Sequence, residues 1–314
     1  LAGVPTQGMF VVTKILSGAA TAIFLDGINN VGQVVGTYDD GGDVGDIGFI
    51  YDHHTGYEWL GDNRYPAGIN DLGQVVCESE QSQGFIYQYG IFSPLNMADY
   101  PTWPEAINNL GHVVGIYYVP APEPDPGVSL NFLYRGGEYL SIALPGLFVE
   151  GINDSGKIAG YGVPPEGGGF IFDSLSNTYE TSLMSEIYGI NNIGNLVGRI
   201  DDGWSFLDAT DSIQVQIQMG VEQVLTDIND FDQIAGFCEP GPEGGAEFGF
   251  VLTPCPFPWP FGHGIYPPFL PERPPAPGVS SGSGVSRGTG AVPKAGQGTA
   301  SGKGIPKKKS GTGK

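Results

Sequence analysis

Cationic side chains are scarce over most of this chain. Residues 1–255 hold five of them (Lys14, Arg64, Arg135, Lys157 and Arg199) against 33 carboxylates, a net charge of −28. A body so poor in Lys and Arg cannot neutralise phosphates, which excludes a nucleic-acid groove and repels anionic membrane surfaces. Histidine is as rare, with four in the chain (His53, His54, His112 and His263). There is no HExxH, and no GxSxG set between a strand and a helix, so zinc-peptidase and serine-hydrolase chemistry have no motif to stand on. The three cysteines, Cys77, Cys238 and Cys255, form no CxxC, which argues against a thiolate metal site and allows one intrachain disulfide at most. Strand pairing sets Cys238 opposite Glu247 or Phe248 rather than opposite Cys255. No apolar run reaches the roughly 18 residues a membrane-spanning helix needs. A pair of carboxylates acting on a glycoside requires no local motif, and that chemistry stays open.

Glycine and proline are plentiful instead, at 52 and 26 of 314 residues, and they favour many turns and short strands over helices. One phrase occurs six times: GINNVGQVVG from Gly27, GINDLGQVVC from Gly68, AINNLGHVVG from Ala106, GINDSGKIAG from Gly151, GINNIGNLVG from Gly189 and DINDFDQIAG from Asp227. The Ile residues lie 41, 38, 45, 38 and 38 positions apart, the length of one propeller blade. Each unit reads as four strands. A short first strand ends in Ile-Asn. A tight turn follows with Gly32, Gly73, Gly111, Gly156 or Gly194 at the place needing positive φ, and Asp232 in the sixth unit. The second strand is the Val-Val-Gly segment, the third is centred on Phe49, Phe85, Phe132, Phe170, Phe206 or Phe250, and the fourth alternates polar and apolar residues. Those six Phe are expected between neighbouring sheets.

The ends of the repeat region predict a closed ring. Unit six runs into Pro254, Pro256, Pro258 and Pro260 where its fourth strand belongs, and proline cannot donate to a ladder. Phe10 to Leu16 is a surplus strand ahead of unit one. The expected fold is all-β: a six-bladed β-propeller over residues 10–253, closed by an N-terminal strand that completes the last blade. Residues 1–9 form an extension, 254–277 a Pro/aromatic-rich extended linker, and 278–314 a basic Gly/Ser/Lys-rich tail. The phrase IN(N/D)xGxVVG followed by GF(I/L)Y resembles the HAF-type extracellular repeat of secreted bacterial proteins. That resemblance spans residues 10–253 and implies a β-rich repeat fold and an extracellular location; it brings no catalytic residue with it. A chain beginning at Leu1 without Met fits a secreted protein whose leader has been removed.

Candidate functional residues fall in four groups. Six Asn share one structural place (Asn29, Asn70, Asn108, Asn153, Asn191 and Asn229), where their amides are expected to satisfy turn backbone or tie blades together. The next position alternates Asn30, Asp71, Asn109, Asp154, Asn192, Asp230, consistent with a doubled-blade ancestry. Loops between the second and third strands, and between the fourth strand and the next first strand, emerge on one face. That face is expected to be strongly negative, with Asp26, Glu78, Glu105, Glu150, Glu186 and Asp227 on those loops. Within it Asp39, Asp40, Asp43 and Asp46 are candidate Ca²⁺ ligands, being carboxylates on a Gly-rich loop. Last, Phe257, Trp259, Phe261, Tyr266 and Phe269 stand between prolines, and Lys307, Lys308 and Lys309 carry charge opposite to the body. These eight are the candidate contacts with a protein partner or a neighbouring subunit. The composition therefore points to a non-enzymatic binding or assembly module with no certain cofactor. A carbohydrate-binding or carbohydrate-cleaving propeller using the acidic face, with Ca²⁺, is the alternative.

Overall fold

The computed structural model describes residues 10–15, 22–39, 41, 46–97, 100–122, 127–142, 147–162, 167–200, 203–207, 214–216, 223–238 and 247–254. Among them there is no helix, and the strands form six antiparallel four-stranded sheets. Blade one runs Ala22–Ile28, Val34–Asp39, Ile47–Asp52 and Gly56–Asp62, each strand pairing with the next. Blades two to five repeat this order, with innermost strands Arg64–Ile69, Thr102–Ile107, Leu147–Ile152 and Glu186–Ile190. Blade six comprises Gln223–Ile228, Ile234–Cys238 and Phe248–Pro254, and its outermost strand is Phe10–Ile15, in register from Phe10 opposite Pro254 to Ile15 opposite Gly249. The N-terminal segment thus covers the edge that the prolines leave open, as the repeat arithmetic requires.

The core lies between the blades. Ile15, Ala235 and Val251 of blade six pack with Ile23, Leu25 and Phe49 of blade one. Val197 of blade five joins Leu225, Ile234 and Phe250 of blade six. Four of the six third-strand Phe (49, 132, 170 and 250) are buried, while Phe85 and Phe206 are half-buried. Cys77 and Cys238 are buried free thiols, and Cys238 lies opposite Phe248 as the register arithmetic expects.

The turn between the first two strands of each blade follows its sequence. Gly32, Gly73, Gly111, Gly156 and Gly194 have φ between 70° and 95°, and Asp232, at 56°, takes the same left-handed conformation. Each repeat Asn accepts at Oδ1 from the backbone N–H four residues on, as Asn70 does from Gln74 at 3.0 Å. Its Nδ2 donates to the carbonyl of the equivalent Asn in the next blade. The chain of bonds runs Asn29 to Asn70, Asn70 to Asn108, Asn108 to Asn153, Asn153 to Asn191, Asn191 to Asn229 and Asn229 back to Asn29, at 2.9–3.1 Å. Six buried amides therefore stitch the ring shut.

Asn70→Asp is expected to destabilise the protein by about 2–4 kcal/mol, more than Asn70→Ala, in denaturant unfolding near neutral pH. The substituted oxygen would face Asn108 O and Gln74 Oε1, both of which now accept from Nδ2. Unfolding of both variants at the denaturant concentration of the unsubstituted protein would show that this bond contributes nothing to joining the blades.

Candidate functional site

An unbulged inner strand would send alternate side chains to the two faces of its sheet. Here all six inner strands break register at the same place, between Leu25 and Gly27, Pro66 and Gly68, Pro104 and Ala106, Val149 and Gly151, Ile187 and Gly189, and Leu225 and Asp227. The extra residues are Asp26, Ala67, Glu105, Glu150, Tyr188 and Thr226. A β-bulge leaves its extra residue outside the ladder and re-aims it, and all six line one central cavity of about 350 Å³. Pro66 and Pro104 sit beside two of these bulges, on strands at the edge of their sheets, where proline is tolerated.

In five of the six second strands the Gly of the repeat phrase answers to the bulge, while blade two carries Cys77 there. A Cβ at Gly160 would lie 1.9 Å from Phe148 O, two residues before bulged Glu150, and one at Gly36 would lie 1.9 Å from Phe24 O. In those five blades the glycine therefore makes room for the backbone that delivers a side chain to the axis.

The wall of this axial funnel also includes Tyr65, Trp103, Thr37 and Glu78. Its electrostatics are those of carboxylates crowded in low dielectric. Burial raises Asp26 to about 7. Burial and the neighbouring Glu186 carboxylate raise Glu150 to about 7. Glu105 is held well above the usual carboxylate range by burial, and next by Glu150, Glu78 and Asp26 across the axis. Burial also raises Glu78. The Tyr161 hydroxyl beside this group is pushed up to about 12 by burial and by Glu150, Glu186 and Glu105. Among the described residues no Lys, Arg or His lines the cavity. Nearby, Arg199 pairs with Glu186 at 3.7 Å, and Glu186 also accepts from the Tyr188 hydroxyl at 2.9 Å.

Further along the same strands, at the turns, lies a second, polar pocket of about 70 Å³. Here the alternating Asn and Asp find their partners. Asn30 Nδ2 donates to Asp71 at 2.9 Å and to Asp230 at 2.8 Å, while Asn192 Nδ2 donates to Asp154 and Asp230, both at 2.9 Å. The backbone N–H of Asp71, Asp154 and Asp230 donates in turn to the side-chain oxygen of Asn109, Asn192 and Asn30. Asp227 occupies the position held by Gly or Ala in the other blades. Its carboxylate accepts from Ile28 N across the closure at 2.9 Å and from Ile228 N at 2.8 Å, yet burial still raises it to about 7.

The structure corrects the placement of the acidic residues. Asp26, Glu105, Glu150, Glu186 and Asp227 belong to innermost strands and Glu78 to a second strand, not to surface loops. Asp26, Glu78, Glu105 and Glu150 line the central cavity and Asp227 the pocket at the turns. The sequence reading took the first strand as a short stub ending in Ile-Asn, whereas these strands run five to seven residues and include the acidic position. A carboxylate two residues before the repeat Ile in three of six units was the signal available. Of the proposed Ca²⁺ ligands, Asp39 ends its strand and its Oδ1 accepts from Gly41 N at 2.7 Å. Asp46 is raised by burial and by Asp39. Asp40 and Asp43 lie outside the described residues, as do Phe257, Trp259, Phe261, Tyr266, Phe269, Lys307, Lys308 and Lys309. Among the described residues no three His, Cys, Asp or Glu side chains are grouped to hold a metal ion.

A closed six-bladed β-propeller with a carboxylate- and aromatic-lined axial funnel is the class these features define. No family model matches the chain, and no curated protein matches it. Among solved structures it is similar to a gluconolactonase from Xanthomonas campestris, at 11% identity and TM-score 0.51 over 81% of this chain and 98% of that one. An acylaminoacyl peptidase from Pyrococcus horikoshii follows at 9% identity and TM-score 0.47, covering 76% and 53% of the two chains. The β-propeller domain of the Trilobed protease from Pyrococcus furiosus matches at 10% and 0.41, over 74% and 94%. Enzymes thus stand among the similar folds, and at these identities the likeness is one of fold alone.

Proposed function

We propose that this protein is a binding module, a rigid propeller that holds a small polar ligand in its axial funnel. The observation that carries the reading is the six-fold bulge. Six inner strands give up a ladder position at the same level, and the residues so released converge on one cavity within the size range of small-molecule sites. Ring closure supports the same role, because the wall is built from six separate blades whose relative positions the Asn ring holds. The likeness of the repeat to the HAF-type extracellular repeat supports a place of action outside the cell, as a secreted interaction protein.

Ala67→Trp tests this reading. Ala67 is the smallest of the bulged residues, and an indole there fills much of the funnel while leaving the Asn ring untouched. In a ligand-observed NMR screen of neutral glycans, lactones and small cations, compounds that bind the full chain are expected to lose at least about tenfold in affinity to the substituted protein. Retention of every hit would move the ligand site elsewhere on the molecule.

A second reading rests on Glu105 and Glu150. Two carboxyls raised by burial, lining one cavity from adjacent blades, would serve as proton donor and acceptor in acid–base hydrolysis. Turnover of a screened glycoside or lactone that vanishes in Glu150→Gln while binding persists would make the funnel an active site.

A further inference from the structure

Four carboxylates, Asp26, Glu78, Glu105 and Glu150, line the funnel together with the rings of Tyr65, Trp103 and Tyr188. Among the described residues no Lys, Arg or His lines the cavity with them. Glu78 Oε2 is buried and has no hydrogen-bond partner. Burial alone acts on Asp26, with no donor to offset it. An uncompensated buried carboxylate is costly, and a wall with four of them is unfavourable once they lose their protons unless something positively charged enters.

What enters is constrained by spacing. The described acidic groups are not clustered tightly enough for three of them to coordinate one metal ion. A point cation would leave most of the wall unsatisfied, whereas a ligand with several charges spaced along a chain would meet carboxylates on different blades. The intervening rings suit such a chain, because ammonium groups are attracted to aromatic faces and methylenes pack against them. A cavity of about 350 Å³ admits a molecule of that size. Resting on the reading of the funnel as the ligand site, we infer that its ligand is an aliphatic oligoamine: two or more ammonium groups joined by short methylene chains, bridging Asp26, Glu78, Glu105 and Glu150 between the rings of Tyr65, Trp103 and Tyr188.

Isothermal titration of the full 314-residue chain at pH 8 and low salt, with spermidine as the probe, tests the assignment. Saturable one-to-one binding is expected, weakened at least tenfold in Glu105→Gln and in Glu150→Gln. It should be unchanged in Glu138→Gln, whose side chain is exposed and remote from the funnel. Thermal melts of each variant confirm folding, and Trp103→Leu, which keeps every charge, should weaken spermidine several-fold. An equal loss in Glu138→Gln would reduce the effect to general acidity and overturn the inference. So would tighter binding of Ca²⁺, or equal binding of the single-ammonium compound N-acetyl-lysine methylamide. If spermidine fails while a neutral glycan binds and is lost in Ala67→Trp, the funnel stands as the site and the oligoamine falls. If no probe is sensitive to Ala67→Trp, both fall together.

Discussion

Deleting residues 1–15 is expected to abolish the cooperative unfolding transition of the isolated protein, or to lower its stability by at least about 3 kcal/mol. The segment Phe10–Ile15 supplies the outermost strand of blade six, six residues in register along Phe248–Pro254. Ile15 is 3% exposed and packs with Ile23, Leu25 and Val251 at the junction of the last and first blades. Burying one such side chain contributes about 1.5–3 kcal/mol, and the lost ladder adds to it. Lys14 also lies over the Phe248 ring at 3.9 Å, a contact of smaller consequence. Without the strand, the sequence FGFVLTP becomes an open edge, and aggregation should accompany the loss. A synthetic peptide spanning residues 8–17, added in trans, should restore both the melting transition and solubility. A truncated protein that melts as the full chain does would mean the ring is held by its inner amides alone.

Stability should also fall as pH rises through neutrality. Asp26 and Asp227, ordinarily near 3.8, and Glu150, ordinarily near 4.5, all stand at about 7 in the folded protein, and Glu105 is raised further by its neighbours. A carboxyl raised on folding binds its proton more tightly in the native state. Its stabilising contribution is fully present below the unfolded value and is lost as pH climbs past the folded one. The window therefore runs from about pH 4 to a little above 7. Scanning calorimetry is expected to give a melting temperature at pH 5 higher than at pH 8 by ~5 °C or more. Glu105→Gln should raise the pH 8 value and flatten the profile, since it removes the carboxylate that faces Glu150, Glu78 and Asp26 together. Asp173 runs the other way, because its exposed carboxylate accepts from Leu175 and Ser176 N–H and is lowered, so its small contribution is lost only in strong acid. A melting temperature that is level or rises from pH 5 to pH 8 would show that the funnel carboxylates are already compensated.

Much of this architecture was legible before any coordinates. Six copies of one phrase at blade-length spacing, prolines where a strand was due, and a surplus strand at the start were enough to specify the number of blades and how they close. The left-handed residue of each turn was legible too, down to Asp232 standing in for Gly. These features are local or arithmetic, and strand period and turn chemistry follow from neighbours in the chain. The funnel was not legible, because a bulge is one unpaired residue in a pairing that joins two strands. Nothing at Asp26 or Glu150 alone distinguishes a bulged strand position from the end of a loop. The trace it leaves is the closing Gly of the second strand, which reads as an ordinary small residue until the carbonyl pressing against it is seen.

The alternating Asn and Asp draw the same line. Their order is written in the chain, but its meaning depends on the ring. With an even number of blades closed end to end, Asn30 comes between Asp71 and Asp230, and its amide serves both. By itself, then, the sequence determined the repeat, the turns and the closure, which depend on short-range rules and on counting. Only the tertiary structure decided that the acidic residues face the axis, because that direction is set by a mismatch between strands and by side chains brought together from blades far apart in the chain.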